Sequence, residues 1–119
     1  MQIRSFKDLT VWQKSMDLVA DVYSITSSLP KNEAFGLTSQ VQRAVVSIPS
    51  NIAEGSKRSS RIDFRQFCMV AAGSAAELET QIMIIKRIYP DISVENILQN
   101  ITEVQKMLAS LIKKLKSSP

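Results

Sequence analysis

The chain has 119 residues, of which 45% are hydrophobic and 22% are charged, with 3 glycines and 4 prolines. This composition predicts a compact, helix-rich single domain and excludes a disordered protein. The formal net charge is +4 at neutral pH, which is only mildly basic, so the distribution of the charges matters more than their sum.

The absence of histidine excludes Ser-His-Asp and Cys-His nucleophiles, histidine-ligated metals and the Glu-x-x-His di-iron signature. The single cysteine, Cys68, excludes an intramolecular disulfide and fits a reducing cytoplasm. No apolar segment resembles a signal peptide or approaches the roughly 20 residues of a membrane span. We therefore expect a cytoplasmic protein that is not an enzyme and has no catalytic residue, metal or cofactor.

The first helix is predicted from about Asp8 to Ser28, ahead of Leu29-Pro30. Two apolar stripes run along it at helical spacing, roughly 120° apart. The first stripe comprises Leu9, Trp12, Met16, Val19 and Tyr23, and the second comprises Val11, Leu18, Val22 and Ile25. Because this apolar arc is wider than one core stripe, either the helix is well buried in its own bundle or one stripe faces another subunit.

The second helix is predicted from Asn32 or Glu33 to between Gly55 and Arg58, with Gly55 as its C-terminal cap. Its interior contains Pro49, which removes a backbone hydrogen bond at a cost of about 3 kcal/mol and therefore predicts tight packing. The apolar stripe comprises Val41, Val45, Ile48 and Ile52. The polar stripe beside it comprises Arg43, Ser47, Asn51 and Glu54.

The third helix is predicted to begin at Ser60, because Ser60 and Asp63 have the spacing of a capping box, and to end near Ile88, before Pro90. Its core stripe comprises Phe64, Phe67, Ala71, Ala75, Leu78, Ile82 and Ile85. The small residues of its middle, AAGSAA at 71–76, favour the close approach of a neighbouring helix.

The fourth helix is predicted to follow a cap at Ser93 and to run to about Lys116. Its apolar residues form a heptad seam of Ile97, Ile101, Val104, Leu108, Leu111 and Leu115. Short connections between four helices predict an all-α, up-down-up-down antiparallel four-helix bundle, with residues 1–119 as a single domain.

This topology places three basic segments at one end of the bundle. The segments contribute Arg4 and Lys7, then Lys57, Arg58, Arg61 and Arg65, and finally Lys113, Lys114 and Lys116. The acids expected nearby are Asp8, Glu54 and Asp63, whereas the opposite end is close to charge balance. Clustered cations suit a phosphate backbone, so we predict that these nine residues bind nucleic acid.

A second interpretation is open for the lysines that end the fourth helix, because cations favour the negative end of a helix dipole. That interpretation does not extend to Arg61 and Arg65, which lie near a helix N-terminus. We therefore consider Arg58, Arg61 and Arg65 the strongest candidates for phosphate contact. Aromatic residues do not interleave with the patch, so recognition of backbone or shape is favoured over base stacking.

The polar stripe of the second helix can face Ser74, Glu77 and Gln81 on the third. This predicts an ion pair between Arg43 and Glu77, and hydrogen bonds from Asn51 to backbone groups freed by Pro49. We interpret Arg43, Ser47, Asn51, Glu54 and Glu77 as a structural network. The alternative is a small hydrolase with a carboxylate pair of Glu54 and Glu77 or Glu79, although no nucleophile or metal ligand accompanies that pair.

Three segments carry a family resemblance: DLTVWQKSMDLVADVY at 8–23, FGLTSQVQRAVVSIPSNIAEGSKR at 35–58, and FRQF with GSAAELETQI at 64–67 and 73–82. They resemble the bacterial four-helix-bundle proteins of 23S ribosomal RNA intervening sequences, also called S23 ribosomal proteins. The chain is more distantly similar to the accessory variability determinant of diversity-generating retroelements.

The resemblance implies a homopentameric ring of four-helix bundles with a basic surface and a nucleic-acid or ribonucleoprotein role, and it supplies no catalytic motif. The leading hypothesis is a cytoplasmic, non-enzymatic, oligomeric accessory protein that contacts RNA through its basic end. The alternative is a protein-interaction scaffold for an acidic partner such as a polymerase or reverse transcriptase.

Overall fold

All the regular secondary structure in the described part of the protein is helical. A computed structural model describes residues 5–116 and, within that range, contains four α-helices and no strand. The α-helices are α1 (Thr10–Thr26), α2 (Leu37–Ser56), α3 (Arg61–Ile88) and α4 (Glu95–Lys116). Two single-turn 3-10 helices, Phe6–Asp8 and Lys31–Glu33, precede α1 and α2. The predicted all-α class is confirmed.

The four helices pack as a square. Each helix packs closely against its neighbours in the chain and α1 also packs against α4, whereas within residues 5–116 the pairs α1 and α3, and α2 and α4, have no Cα atoms within 8 Å of each other. This is the arrangement of an up-down-up-down bundle, and it measures 48 × 23 × 20 Å. The start of α1, the turn between α2 and α3, and the end of α4 therefore share one end.

The core consists of one apolar stripe from each helix. The heptad seam of α4 is buried along its whole length, and α2 and α3 bury the predicted stripes except for Phe67, which is partly exposed. On α1 the core side chains are Val11, Leu18 and Val22, while Met16 and Tyr23 of the other stripe remain exposed. Within the single chain, α1 is therefore not buried on all its apolar sides.

Helix α2 begins later than the sequence predicts. Pro30 adopts an extended conformation, and the 3-10 turn Lys31–Glu33 separates it from Leu37, where the α-helix starts. The carboxylate of Glu33 accepts a hydrogen bond from the Tyr89 hydroxyl. This bond ties the turn before α2 to the end of α3.

The prediction that Gly55 caps α2 is wrong. The helix continues to Ser56, Lys57 occupies the cap in a right-handed conformation, and no glycine in the described residues has a positive φ. A Cβ atom at Gly55 would lie 2.6 Å from the Cβ of Phe67 and 3.0 Å from the ring of Phe64. Gly55 therefore allows α2 and α3 to approach closely near their shared turn.

The two predicted N-terminal caps have different outcomes. The side chain of Ser60 accepts a hydrogen bond from the Asp63 amide, which confirms the cap of α3. The cap at Ser93 is wrong, since α4 begins at Glu95 and the Glu95 carboxylate itself accepts the Val94 amide. Hydrogen bonds from the amides of Glu95 and Val94 lower the pKa of this carboxyl group, and Lys86 lowers it further.

Helix α3 is the one described helix that is long and apolar enough to cross a membrane, judged by length and composition alone. The core helix of a soluble bundle passes the same test, and α3 packs against both α2 and α4. This finding is weak evidence for a membrane span, and the four-helix packing favours a soluble globular protein.

Candidate nucleic-acid interface

Contacts between side chains and helix ends bring the predicted basic segments together. The Arg61 guanidinium at the start of α3 donates a 2.7 Å hydrogen bond to the Lys114 carbonyl near the end of α4. Leu9 and Thr10 line a cavity of about 370 Å³ together with Lys114. The beginning of α1, the beginning of α3 and the end of α4 therefore meet, and we call this region the basic end.

Arg58 is held by two contacts within its own chain. Its guanidinium forms a 2.8 Å salt bridge with Glu54, one turn earlier in α2. The same group lies 4.8 Å from the centre of the Phe67 ring, which is cation–π distance. The side chain is still about half exposed, so it adds positive potential to the basic end while its geometry is fixed by the fold.

Arg61 and Arg65 are also integrated into the bundle. Arg61 neutralises part of the negative end of the α4 dipole through its bond to the Lys114 carbonyl. Arg65 is partly buried, and its Nε atom is buried without a hydrogen-bond partner. The fold therefore gives Arg61 a structural reason to lie near a helix N-terminus, and an external anion is not needed to explain its position.

The lysines of the basic end are exposed. Within residues 5–116, their side chains make no recorded hydrogen bond or ion pair. These residues are Lys7, Lys57, Lys113, Lys114 and Lys116. Arg4, the remaining candidate, lies outside the described residues. The cations that are available to an external anion are therefore the lysines.

Acidic side chains offset only part of this charge. Glu54 is paired with Arg58, and Asp63 lies in the first turn of α3, where a carboxylate complements the positive end of the helix dipole. Asp8 is exposed in the 3-10 turn before α1. The basic end therefore has a net positive charge and several flexible ammonium groups, a combination that binds polyanions without base-specific geometry.

The polar network between α2 and α3 is smaller than predicted. Ser47 and Ser74 are 2.8 Å apart across the helix interface, and Asn51 donates to both the carbonyl and the hydroxyl of Ser47. Pro49 frees the Val45 carbonyl instead, so the prediction that Asn51 bonds a freed group is wrong.

Arg43 and Glu77 line one cleft of about 530 Å³ between α2 and α3. Among the described residues, however, no ion pair joins Arg43 to Glu77. Both side chains are exposed. At the floor of the cleft Gln81 is 6% exposed, and its Oε1 atom is buried with no hydrogen-bond partner.

The carboxylates do not converge on a reactive centre. Glu54 pairs with Arg58, and Glu79 accepts a hydrogen bond from Gln105 on α4. In the described part of the chain, no group of three or more cysteines, aspartates and glutamates has the geometry of a metal site. Cys68 is fully buried, and burial raises the pKa of its thiol to about 11, which suppresses the nucleophilic thiolate.

One surface feature was missed by the sequence analysis. The outward side of α3 exposes six large apolar side chains, each at least 40% accessible: Ile62, Met69, Val70, Met83, Ile84 and Ile88. The signal was a second apolar series on α3, whose spacing is masked by the stronger core stripe of the same helix. We call this surface the α3 outer face.

Comparisons with known proteins place the chain among bundles of the same kind. The family model described as 23S rRNA-intervening sequence protein matches residues 7–110. A crystal structure of a protein of unknown function from the S23 ribosomal protein family of Bacteroides thetaiotaomicron matches with a TM-score of 0.79 and 27% identity, covering 87% of this chain and 99% of that one. The search of curated proteins found no match.

Proposed function

The chain belongs to the family of 23S rRNA-intervening sequence proteins, and from that premise we propose that it is a non-enzymatic, oligomeric protein that binds RNA through its basic end. The observation that carries the proposal is the convergence of exposed, unpaired lysines from α2 and α4 at one end of the bundle. Phosphate contacts by such lysines give affinity that depends on salt and very little on sequence.

The proposal assigns different roles to the two kinds of cation. Lys57, Lys113 and Lys116 contact phosphates, because their ammonium groups are solvated and mobile. Arg58 and Arg61 hold the end of the bundle together. They contribute more to the positive electrostatic potential than to direct contacts with phosphate. Substituting the arginines would therefore disturb the fold as well as the surface, so the lysines are the better positions for a test.

We further propose that the protein is cytoplasmic and assembles into a ring of five copies, as the family resemblance implies. The apolar α3 outer face, together with the half-exposed Met16 and Tyr23 of α1, supports assembly, since monomers rarely expose contiguous apolar patches larger than a few hundred Å². A ring repeats the basic end around one axis. Several weak patches then act together on one RNA through effective concentration.

The test is fluorescence anisotropy of the assembled protein with structured RNA, duplex DNA and a non-nucleic polyanion of equal charge. We expect tighter binding to RNA than to the other two at near-physiological salt. A Lys57/Lys113→Gln variant should bind RNA at least several-fold more weakly. Light scattering on each variant establishes that the oligomer is unchanged.

The matched control is Lys31/Lys106→Gln, which removes the same charge from exposed lysines outside the basic end. Equal losses in the two variants would show that only net charge matters and would overturn the assigned surface. Equal binding to every polyanion would show only nonspecific electrostatic attraction and would overturn a specific role in RNA binding. Absence of binding would overturn the RNA proposal and favour a scaffold for an acidic protein partner.

A further inference from the structure

The α3 outer face is among the largest apolar patches that a monomer exposes. Its six exposed side chains present on the order of 600 Å² of apolar area, at the upper limit for a monomer and close to the roughly 800 Å² that each partner buries in a stable interface. No charged residue occurs between residues 66 and 76 of the sequence. The area and the composition both indicate a protein interface.

The same chain carries a second unpartnered apolar stripe. On α1, Met16 is 43% and Tyr23 is 45% exposed, and the partly buried Trp12 and Val19 lie on the same side. Because α1 and α3 lie diagonally across the bundle, their two outward surfaces lie on different sides of it. One face cannot cover the other within a single molecule.

We propose that the α3 outer face of one copy docks against the exposed α1 stripe of the next copy, in a head-to-tail contact. The inference rests on the proposed assembly and deepens it by naming the two surfaces. A two-fold dimer through either surface alone leaves the other in water. A heterologous contact buries both on every molecule when the ring closes.

The centre of the α3 outer face leaves room for such a contact. A Cβ at Gly73 would meet no atom within 4 Å, so the packing of the chain itself does not require glycine there. Glycine in a helix interior costs roughly 0.5–1 kcal/mol relative to alanine. Gly73 and Ala76 are both exposed and place no large side chain between Met69 and Met83, so the proposed contact brings a large α1 side chain to this position.

A polar cleft adjoins this surface. It lies between α2 and α3, where Arg43 and Glu77 are exposed and form no ion pair among the described residues. In the proposed contact, a charged side chain of the docked copy pairs with one of them and fixes the register of the two surfaces, a use of polar groups that is attested in helical assemblies.

Cysteine cross-linking separates head-to-tail from two-fold assembly. Met16→Cys and Tyr23→Cys place thiols on α1, and Met69→Cys and Met83→Cys place them on the α3 outer face. The buried Cys68 gives little background. Each variant is cross-linked with a short bismaleimide, alone and after co-expression with a variant from the other helix.

We expect covalent dimers only in mixtures that pair an α1 cysteine with an α3 cysteine. A chain carrying one of each should give a ladder that ends at the ring size. Cross-linking of any single variant with itself would overturn the proposal. It would also be overturned if the protein is assembled and none of the mixtures gives a cross-linked product. A wild-type monomer in light scattering refutes the assembly itself, by a readout that does not depend on the cross-links.

A second pair of variants tests this position. Gly73→Leu places a large side chain there and should reduce the mass in light scattering to that of a monomer, with helical circular dichroism retained. Gly73→Ala is the control and should leave the assembly intact. An assembled Gly73→Leu protein would show that this part of α3 is not covered and would overturn the proposal.

Discussion

At the scale of single residues, close packing explains a glycine that the sequence presented as a helix cap. Gly55 lies against Phe64 and Phe67, where a methyl group has no room. The adjacent ring of Phe67 also supports the Arg58 guanidinium. The geometry of the basic end therefore depends on a glycine that carries no charge.

Substitution of Gly55 by alanine should destabilise the protein. The new Cβ would overlap Phe67, and overpacking of this kind typically costs about 1–3 kcal/mol. The measurement is the free energy of unfolding in urea at equal protomer concentration, because the proposed assembly would contribute to the apparent stability. Gly73→Ala is the matched control and should be neutral or stabilising; a Gly55→Ala protein as stable as wild type would contradict the packing.

Cys68 should be unreactive in the folded protein. Burial raises the pKa of its thiol from 9.0 to about 11, so its thiolate fraction at pH 8 is about a hundredfold below that of an ordinary thiol. Labelling with a thiol reagent should be slow until urea unfolds the chain. Rapid labelling without denaturant would show that α3 opens locally.

The raised pKa of Cys68 also sets a direction for the pH dependence. The unfolded chain loses this proton above pH 9.0, whereas the folded chain retains it to about pH 11. The contribution to stability is therefore fully present below pH 9.0 and is lost as the pH rises through that window. In a Cys68→Ala variant, the free energy of unfolding should lose this pH dependence above pH 9.0, which would identify the thiol as its source.

At the scale of elements, the start of α3 depends on one side chain. Ser60 accepts the Asp63 amide in the arrangement of an N-cap. Ser60→Ala should lower the free energy of unfolding by about 1 kcal/mol. The neighbouring Ser59 is exposed, so Ser59→Ala is the control, and equal losses in the two variants would show that the cap is not the cause.

The end of α4 depends on Arg61. Its bond to the Lys114 carbonyl joins two helix ends that are 53 residues apart in sequence. Arg61→Met should reduce stability by about 1 kcal/mol, since the bond is charge-assisted but partly exposed. Amide hydrogen exchange should accelerate over the last turn of α4 and not at its start. Unchanged exchange in that turn would contradict the role of Arg61, and Lys57→Met serves as the control.

The elements could be predicted because each one carries its own local signal. The apolar spacing of α4 and the N-cap at Ser60 fix those helices from short stretches of sequence. The ends of α2 were less predictable, because they depend on the turn bonded to Tyr89 and on contact with Phe67. Such contacts join residues far apart in the chain and leave no periodic pattern.

At the scale of the whole molecule, topology made the basic end predictable. The up-down order of four helices brings Lys57 and Lys113 to the same end, whatever their individual contacts. The different roles of the arginines, which are held by contacts within the chain, and of the lysines, which are exposed, were not predictable. They follow from the Glu54 carboxylate and the Lys114 carbonyl, whose proximity to Arg58 and Arg61 appears only in the folded chain.

The architecture of the whole bundle also accounts for the two exposed apolar surfaces of the protein. A four-helix bundle of this length needs one stripe from each helix for its core, and α1 and α3 each carry a second one. In the proposed assembly, this excess apolar surface is buried between copies. The proposed ring uses this excess to present several basic ends to one RNA.

The salt dependence of RNA binding tests the central claim most directly. The slope of log Kobs against log salt concentration is measured for wild type, Lys57/Lys113→Gln and Lys31/Lys106→Gln on one structured RNA. Each phosphate contact that is lost should reduce the slope by about 0.7–0.9. A shallower slope for Lys57/Lys113→Gln alone is the predicted result; identical slopes for all three proteins would contradict an RNA interface at the basic end.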